Sequence, residues 1–209
     1  DTVHGTATAI RGMRFDLYRG ETVAIVGESG SGKSVTMKAV MGIISNNQHI
    51  DHGSIRYSWW DENGQKQTVD IAKMGSRDVR SKICGRHISM VFQDSMTSLN
   101  PTVTIGNQII EGMLEHYKLT KEEAKARAIK LLEEVGIKNP EKRFKQYPHQ
   151  LSGGMCQRVG IAIALACDPD ILICDEPTTA LDVTIQLKIL NLIKKIQKEN
   201  QISVVYITH

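Results

Sequence analysis

Short apolar runs separated by polar segments recur along this chain and predict buried strands. They occupy residues 22–26, 88–92, 171–174 and 202–208. Stretches between them carry apolar residues at helical spacing, for instance from Ala124 to Val135. Strands that alternate with helices are typical of a mainly parallel sheet, so the pattern predicts an α/β fold.

The first third of the chain predicts additional β structure. We interpret residues 1–26 as strands joined by a turn around Gly20, and residues 53–72 as a hairpin. In the hairpin, apolar and polar side chains alternate on either side of an Asp-Glu-Asn-Gly turn. Trp59 and Trp60 are interpreted as hairpin packing, and a base-stacking site is the alternative.

Residues 94–150 have a different character, with helical spacing and polar connections punctuated by prolines. Thr120 followed by Glu123 is typical of a capping box that begins a helix, and Gly136 is placed to end it. The alternation of helices and strands resumes afterwards. We therefore predict a helical lobe inserted into the α/β core, as a helical subdomain over residues 94–160.

The composition of the chain bears on nucleic-acid, membrane and metal binding. The 209 residues include 26 Lys and Arg against 23 Asp and Glu, and this scattered net charge of +3 does not indicate nucleic acid. No apolar run is long enough to cross a bilayer, so we expect any membrane role to come through a partner. The four cysteines lack C-x-x-C spacing and are predicted to be reduced thiols, which disfavours a metal site.

The two ends of the sequence predict that it is part of a longer chain. It begins at Asp1 without an initiator methionine, and it stops at His209 directly after an apolar run.

Residues 27–34 read Gly-Glu-Ser-Gly-Ser-Gly-Lys-Ser, a phosphate-binding loop pattern between a predicted strand and a predicted helix. Its glycines let backbone N–H groups turn toward an anion, and the helix start adds partial positive charge. Lys33 is long enough to reach the β- and γ-phosphates of a nucleotide. The Ser34 hydroxyl suits Mg²⁺, which prefers oxygen ligands. A Gly/Ser turn that happens to contain a lysine is the alternative.

Two adjacent carboxylates, Asp175 and Glu176, follow the apolar run 171–174. The carboxyl end of a parallel strand is where such folds bind ligands. Adjacent acids can divide their roles, with Asp175 on the metal side and Glu176 facing a water. A solvated turn is the alternative, which the phosphate loop makes less favoured.

Residues 151–155, Leu-Ser-Gly-Gly-Met, precede another predicted helix. Ser152 is a good N-cap, and the two glycines leave backbone amides open to an anion. Alone this pattern indicates only a capped helix start. Two such helix ends can serve one nucleotide if the second belongs to another subunit.

Together and in order, these motifs resemble the ATPase subunit of ABC transporters over essentially the whole chain. The set also includes Gln93 after a strand, Ala-Leu-Asp at residues 180–182 and the terminal His209. The finer resemblance is to the oligopeptide and dipeptide importer ATPases, through Phe-Gln-Asp at residues 92–94 and Cys-Asp-Glu-Pro-Thr at residues 174–178. It implies a P-loop NTPase core of the ABC type, with an antiparallel β subdomain and an inserted helical lobe.

The resemblance also implies roles for individual residues. Those implied to bind the nucleotide are Gly27, Ser29, Gly30, Gly32, Lys33, Ser34 and Val35. Those implied to hold Mg²⁺ are Ser34, Gln93 and Asp175, the last through water. Glu176 is the implied general base, with Gln93 sensing the attacking water and His209 contacting the γ-phosphate. Those implied to contact the nucleotide of the opposite subunit are Ser152, Gly153 and Gly154.

The chain departs from the family pattern at two places. Met155 stands where the signature usually ends in Gln, which we interpret as a mark of the peptide-importer subfamily. Residues 2–5 contain no aromatic side chain to stack on adenine, which leaves His4 or Val3 for that contact. Asp182 is implied to lie in the loop that joins the two nucleotide sites.

The resemblance implies that ATP hydrolysis with Mg²⁺, by two ATPase subunits that close head to tail, powers the import of oligopeptides or dipeptides. The implied partners are a second ATPase subunit, usually a paralogue, two transmembrane permease subunits and, indirectly, an extracytoplasmic peptide-binding protein. The implied location is the cytoplasmic face of the cell membrane. Nickel or another small solute is an alternative cargo. A non-transport ABC ATPase acting on ribosomes or DNA is another alternative, and a phosphate-loop kinase is the third.

Overall fold

The computed structural model describes residues 8–44, 47–178 and 183–209, which fall into two compact units. The first unit contains the described residues of Asp1–Asp16 together with Val26–Cys84 and His209. The second unit contains Leu17–Ile25 and Gly85–Thr208.

The described residues form six strands and eight α-helices. They are β1 (Thr22–Val26), α1 (Lys33–Val40), β2 (Arg56–Trp60), β3 (Lys66–Asp70), α2 (Ser76–Lys82), β4 (Ile88–Val91), α3 (Ser95–Ser98), α4 (Ile105–His116), α5 (Lys121–Glu134), α6 (Pro140–Phe144), α7 (Gly153–Leu165), β5 (Ile171–Asp175), α8 (Val183–Asn200) and β6 (Ser203–Thr208). Single 3₁₀ turns lie at Ile71–Lys73 and Pro148–Gln150.

In the first unit, β2 and β3 form the antiparallel hairpin that the alternation predicts. Tyr57 is buried, and the Trp59 ring stacks on it with the two centroids 5.3 Å apart. Trp60 lies on the opposite face and is exposed, and the ammonium of its cross-strand partner Lys66 is 5.8 Å from the ring centroid. Both tryptophans therefore contact residues of the hairpin, as the packing interpretation requires.

The second unit is built on a four-stranded sheet in which the strands lie in the order β1, β6, β5, β4. β4 pairs with β5 in parallel, and β5 pairs with β6 in parallel. All four residues of β4 are buried, which is expected for a strand covered on both faces. Asp175, the last residue of β5, is buried and lies opposite Ile207 of β6. The predicted α/β fold with a mainly parallel sheet is confirmed.

Helices α4 to α7 share a continuous apolar core with β5 and β6. Gly106 of α4 allows close approach, because a Cβ at this position would lie 2.3 Å from ring atoms of Phe144. The capping box predicted at Thr120 is present, since its side chain accepts from the backbone N–H of Glu123 and the Glu123 side chain accepts in return. Gly136, at φ 76°, follows the end of α5 as predicted. The subdomain boundary over residues 94–160 stays a prediction.

The prediction of strands before residue 22 is wrong for residues 8–21, which contain neither helix nor strand. The Glu21 carbonyl accepts from the Val204 N–H of β6 at 2.9 Å, whereas backbone groups of Tyr18 and Gly20 bond to a side chain. The Ser203 hydroxyl donates to the Tyr18 carbonyl at 3.1 Å and accepts from the Gly20 N–H at 2.9 Å. The predicted turn around Gly20 is present, with the Glu21 N–H donating to the Tyr18 carbonyl. Residues 1–7 lie outside the described residues.

All four cysteines are free thiols, as predicted. Cys156, Cys167 and Cys174 are buried and pack as small apolar residues in the core of the second unit. Burial raises the pKa of the Cys167 thiol to about 11. Among the described residues, no helix is both long and apolar enough to cross a membrane.

Candidate functional site

The loop that carries residues 27–32 leads from β1 into α1 through two glycines in left-handed backbone conformations. Gly30 has φ 79°, and Gly32, the N-cap of α1, has φ 91°. A Cβ at Gly32 would lie 3.2 Å from the Cγ1 atom of Ile10 and 3.4 Å from the Ala9 carbonyl oxygen, so both conformation and space favour glycine there. No side chain caps the start of α1. Its first backbone N–H groups therefore lack the side-chain acceptor that most helix starts carry.

Lys33 is the first residue of α1, and its side chain folds back onto the loop. The residue is 9% exposed, and its ammonium donates to the carbonyl oxygens of Gly27 at 2.5 Å and Glu28 at 2.7 Å. Two neutral carbonyls thus hold a buried positive charge at the helix start. An anion is a stronger acceptor than a carbonyl, so phosphate oxygens can replace these partners.

The remaining predicted loop residues follow the same local geometry. Ser34 and Val35 lie in the first turn of α1, where both are half-buried, and Ser29 lies in the exposed turn before it. The Thr36 hydroxyl donates to the Gly32 carbonyl at 2.9 Å, which ties the first turn to the N-cap residue. The whole motif therefore lies within the first unit on one loop and one helix start.

Asp175 and Glu176 lie at the carboxyl end of β5 in the second unit, and both are buried. Glu176 has φ 45°, an uncommon left-handed conformation for a residue other than glycine. Its backbone N–H donates to the Ile207 carbonyl at 3.1 Å, which extends the pairing of β5 with β6 by one residue. The backbone thus turns sharply where the two carboxylates follow the strand.

Gln93 follows the carboxyl end of β4, the strand next to β5. Its side-chain amide donates to Oε2 of Glu176 at 2.9 Å. Two of the predicted site residues, 83 positions apart in sequence, are therefore in direct contact at one edge of the sheet. Sequence reasoning placed each of them correctly at the end of a strand but missed this hydrogen bond. The only available signal was that both follow apolar runs.

Ser152 is the N-cap of α7, as predicted, and its hydroxyl accepts from the Met155 N–H at 3.4 Å. The cap lacks the second half of a capping box, because Met155 has no side-chain acceptor and packs against the apolar core instead. A Cβ at Gly153 would meet no atom within 4 Å, so the backbone is open to approach there. This helix start offers a hydroxyl and backbone amides without an accompanying lysine.

The other predicted positions have less structural support. His209 follows β6, is exposed and belongs to the first unit. Asp182 and residues 2–5 lie outside the described residues.

The donor set implied for Mg²⁺ suits that cation. The Ser34 hydroxyl, the Gln93 amide oxygen and the Asp175 carboxylate are all hard oxygen ligands. In the part of the chain that the structure describes, no cluster of three or more His, Cys, Asp or Glu side chains could hold a metal by itself. Mg²⁺ commonly binds one or two protein groups and takes its other ligands from water and substrate phosphates, so the residues present fit it.

The sequence model of the ABC transporter family matches residues 10–179, and the chain belongs to that family. It is 50% identical over 209 residues to a dipeptide transport ATP-binding protein of Bacillus subtilis, covering 100% of this chain and 59% of that protein. It is 52% identical over 209 residues to an oligopeptide transport ATP-binding protein of the same organism, covering 100% of this chain and 56% of that protein. The chain thus spans a little over half the length of these relatives.

Solved structures confirm the fold. A dimeric ATP-binding cassette in a post-hydrolysis state, bound to ADP and Pi, superposes with a TM-score of 0.79 at 29% identity, covering 96% of this chain and 80% of that one. A dimeric bacterial ABC transporter cassette gives a TM-score of 0.78 at the same identity. The predicted ABC transporter family is confirmed, while the peptide-transport branch and the roles of individual residues stay predictions.

Proposed function

We propose that this chain binds and hydrolyses ATP and that it powers an ABC importer of oligopeptides or dipeptides. The observation that carries the proposal is the buried Lys33 ammonium, which two loop carbonyls hold at a helix start without a side-chain cap. A buried cation at a helix start without a side-chain cap suits a phosphate chain. The relatives named for dipeptide and oligopeptide transport support the cargo.

Phosphate binding is assigned to the glycine-rich loop and α1. The Lys33 ammonium exchanges the Gly27 and Glu28 carbonyls for phosphate oxygens, and the backbone amides of the loop bind the same group. Gly30 and Gly32 provide the left-handed turns that direct these amides. Affinity for the nucleotide therefore rests mainly on its phosphates.

Ser34, Asp175 and Gln93 are assigned to Mg²⁺. When bound, this cation neutralises phosphate charge and polarises the bond to the transferred phosphoryl group. Ser34 and Gln93 offer neutral oxygens, and Asp175 offers a buried carboxylate.

Glu176 is assigned to the attacking water. Its carboxylate orients the water and accepts a proton while oxygen attacks the γ-phosphorus and the bond to the bridging oxygen of ADP breaks. The products are ADP and inorganic phosphate. Positioning supplies most of the catalysis in such a reaction, so the fixed backbone of Glu176 matters. The role of His209 as a contact to the γ-phosphate is assigned by family resemblance.

Ser152, Gly153 and Gly154 are assigned to the nucleotide of a second ATPase subunit. Their helix start has an open backbone and a hydroxyl but no cation, so it suits a phosphate already held elsewhere. The two cassettes with similar folds are dimeric, which supports a pair of subunits. We assign the second subunit to a paralogue.

The remaining partners are two transmembrane permease subunits and, indirectly, an extracytoplasmic peptide-binding protein. With these partners the chain lies at the cytoplasmic face of the membrane. We assign no nucleic-acid partner, since the net charge is only +3.

The proposal is tested at two levels. First, the purified chain is titrated with ATP, with and without Mg²⁺, while phosphate release is followed. We expect saturable binding and Mg²⁺-dependent release, and absence of both would overturn the ATPase assignment. Second, the chain is reconstituted in vesicles with the permeases, the paralogue and the binding protein. We expect peptides to stimulate ATPase activity; stimulation by nickel but not by peptides would contradict the cargo.

A further inference from the structure

Glu176 is held from both sides in the second unit, through its backbone and through its carboxylate. On the β6 side, the Glu176 backbone N–H donates to the Ile207 carbonyl at 3.1 Å. On the β4 side, the Gln93 amide donates to the Glu176 carboxylate at 2.9 Å. One contact fixes the backbone and the other fixes the end of the side chain.

The backbone of Glu176 makes this side-chain contact more important. At φ 45° the residue adopts a conformation that costs free energy for any side chain with a Cβ, so the surrounding structure must maintain it. That conformation determines where the side chain leaves the strand end. The rotation of the carboxylate itself needs a further contact, which Gln93 provides.

The two partners of this hydrogen bond differ in their exposure to solvent. Glu176 is 8% exposed, whereas Gln93 is exposed on the segment between β4 and α3. A buried carboxylate that loses a hydrogen-bond donor has few waters available to replace it. Removing the Gln93 side chain should therefore change the orientation of Glu176 more than it changes the surface.

We propose that Gln93 is a positioning residue for Glu176, with its amide fixing the carboxylate before substrate arrives. This inference rests on the proposed ATPase function of the same site. Gln93 then affects hydrolysis through Glu176, in addition to any contact of its amide oxygen with a cation.

Exchanging the amide and the carboxylate between residues 93 and 176 tests their hydrogen bond in the ligand-free chain. Gln93→Glu places two carboxylates opposite each other and should lower the Tm by about 4 °C or more. Glu176→Gln keeps an acceptor for the Gln93 amide and should change the Tm little. In the double variant the amide of residue 176 can donate to the carboxylate of residue 93, so the Tm should return close to that of Glu176→Gln. Gln201→Glu, at an exposed position, is the matched charge control.

A kinetic cycle tests the mode of action. Gln93→Ala should lower single-turnover ATP hydrolysis at least about tenfold, while the Kd for ATP measured without Mg²⁺, the cation to which Gln93 is also assigned, stays within about twofold. In the Glu176→Gln background the same change should lower the residual rate by no more than about twofold, because the group that Gln93 positions is already lost. An equal loss of rate in both backgrounds would overturn the inference and assign Gln93 a direct contact with substrate.

The Tm cycle and the kinetic cycle separate a failure of this inference from a failure of the proposed function. Absence of ATP binding by the wild-type chain contradicts the proposed function, and the Tm cycle still tests the contact. Normal hydrolysis by Gln93→Ala, or additive Tm changes in the double variant, overturns the inference while leaving the ATPase assignment intact.

Discussion

The starts of α1 and α7 carry two Gly-rich motifs that look alike in sequence but differ in structure. At α1 the N-cap is Gly32, no side chain caps the helix, and the buried Lys33 supplies a positive charge. At α7 the N-cap is Ser152, whose hydroxyl bonds to the Met155 N–H, and the neighbouring backbone is open without a lysine.

A helix start is therefore not by itself a complete phosphate site. The helix dipole contributes modestly to anion binding near a surface, whereas a buried ammonium makes charge-assisted hydrogen bonds. We therefore expect α1 to hold a nucleotide without help. We expect α7 to contribute only when another subunit has already placed a phosphate nearby.

The largest expected effect is that of Glu176→Gln, which should lower turnover without weakening ATP binding at the α1 loop. Glu176→Gln keeps the shape of the side chain but removes the base, so turnover should fall by about 10²–10⁴-fold. The Kd for ATP with Mg²⁺ should stay within about twofold, because the α1 loop is unchanged. Phosphate release and equilibrium titration measure the two quantities. A loss of affinity as large as the loss of turnover would contradict the division of roles.

Removing the Lys33 ammonium should make the start of α1 resemble the start of α7. Lys33→Ala deletes charge-assisted hydrogen bonds to the phosphates, and affinity for ATP should fall by about a hundredfold or more. The control is Lys38→Ala, which removes an exposed lysine from the same helix. Retained ATP affinity in Lys33→Ala would show that the open amides of α1 suffice.

Base discrimination should be weak if the α1 loop supplies most of the affinity. Residues 2–5 contain no aromatic side chain, and base–aromatic stacking contributes about 1–3 kcal/mol in nucleic-acid sites. We expect GTP to compete with ATP within about tenfold, measured by displacement of a labelled nucleotide. A hundredfold preference for ATP would mean that another residue recognises adenine.

The smallest effects should distinguish the cap of α7 from that of α5. Thr120→Ala breaks a complete capping box and should cost about 1 kcal/mol, which lowers the Tm by about 2–4 °C. Ser152→Ala removes a single long hydrogen bond and should lower the Tm by less. Thermal unfolding measures both changes. An equal or larger loss for Ser152→Ala would mean that this hydroxyl serves mainly as a cap.

Lowering the pH should weaken the stabilisation from the Thr120 cap of α5 but not that from the Ser152 cap of α7. Hydrogen bonds from the Thr120 backbone N–H and hydroxyl lower the pKa of the Glu123 carboxyl. A carboxyl whose pKa is lowered on folding stabilises the protein above its unfolded pKa, and this contribution is lost as pH falls through the folded value. The Tm difference between wild type and Thr120→Ala should therefore shrink in acid. Because Met155 does not titrate, the Ser152→Ala difference should not shrink in this way.

Local features were predictable from sequence because their causes lie within a few residues. The loop around Lys33, the box at Thr120 and the strand that ends at Asp175 belong to this class. The hydrogen bond from Gln93 to Glu176 was not predictable, because it joins residues on two strands whose neighbourhood only the fold creates. The left-handed conformation of Glu176 is likewise imposed by the surrounding structure rather than by its residue type.

The wrong prediction over residues 8–21 has a related cause. A strand needs a neighbouring strand with free backbone groups along its length. The Ser203 side chain bonds to this backbone instead. Such a contact between residues more than 180 positions apart leaves no local pattern in the sequence.

We propose that α7 acts on the nucleotide of a second subunit, and the dependence of ATPase activity on protein concentration tests this claim. Specific activity is measured over a wide concentration range for wild type, Ser152→Arg and the exposed-site control Ser81→Arg, with ATP binding measured in parallel. We expect specific activity to rise with concentration for wild type and the control. Ser152→Arg should stay slow while binding ATP normally, because bulk and charge block closure of the pair. Full activity that is independent of concentration and unaffected by Ser152→Arg would contradict the claim.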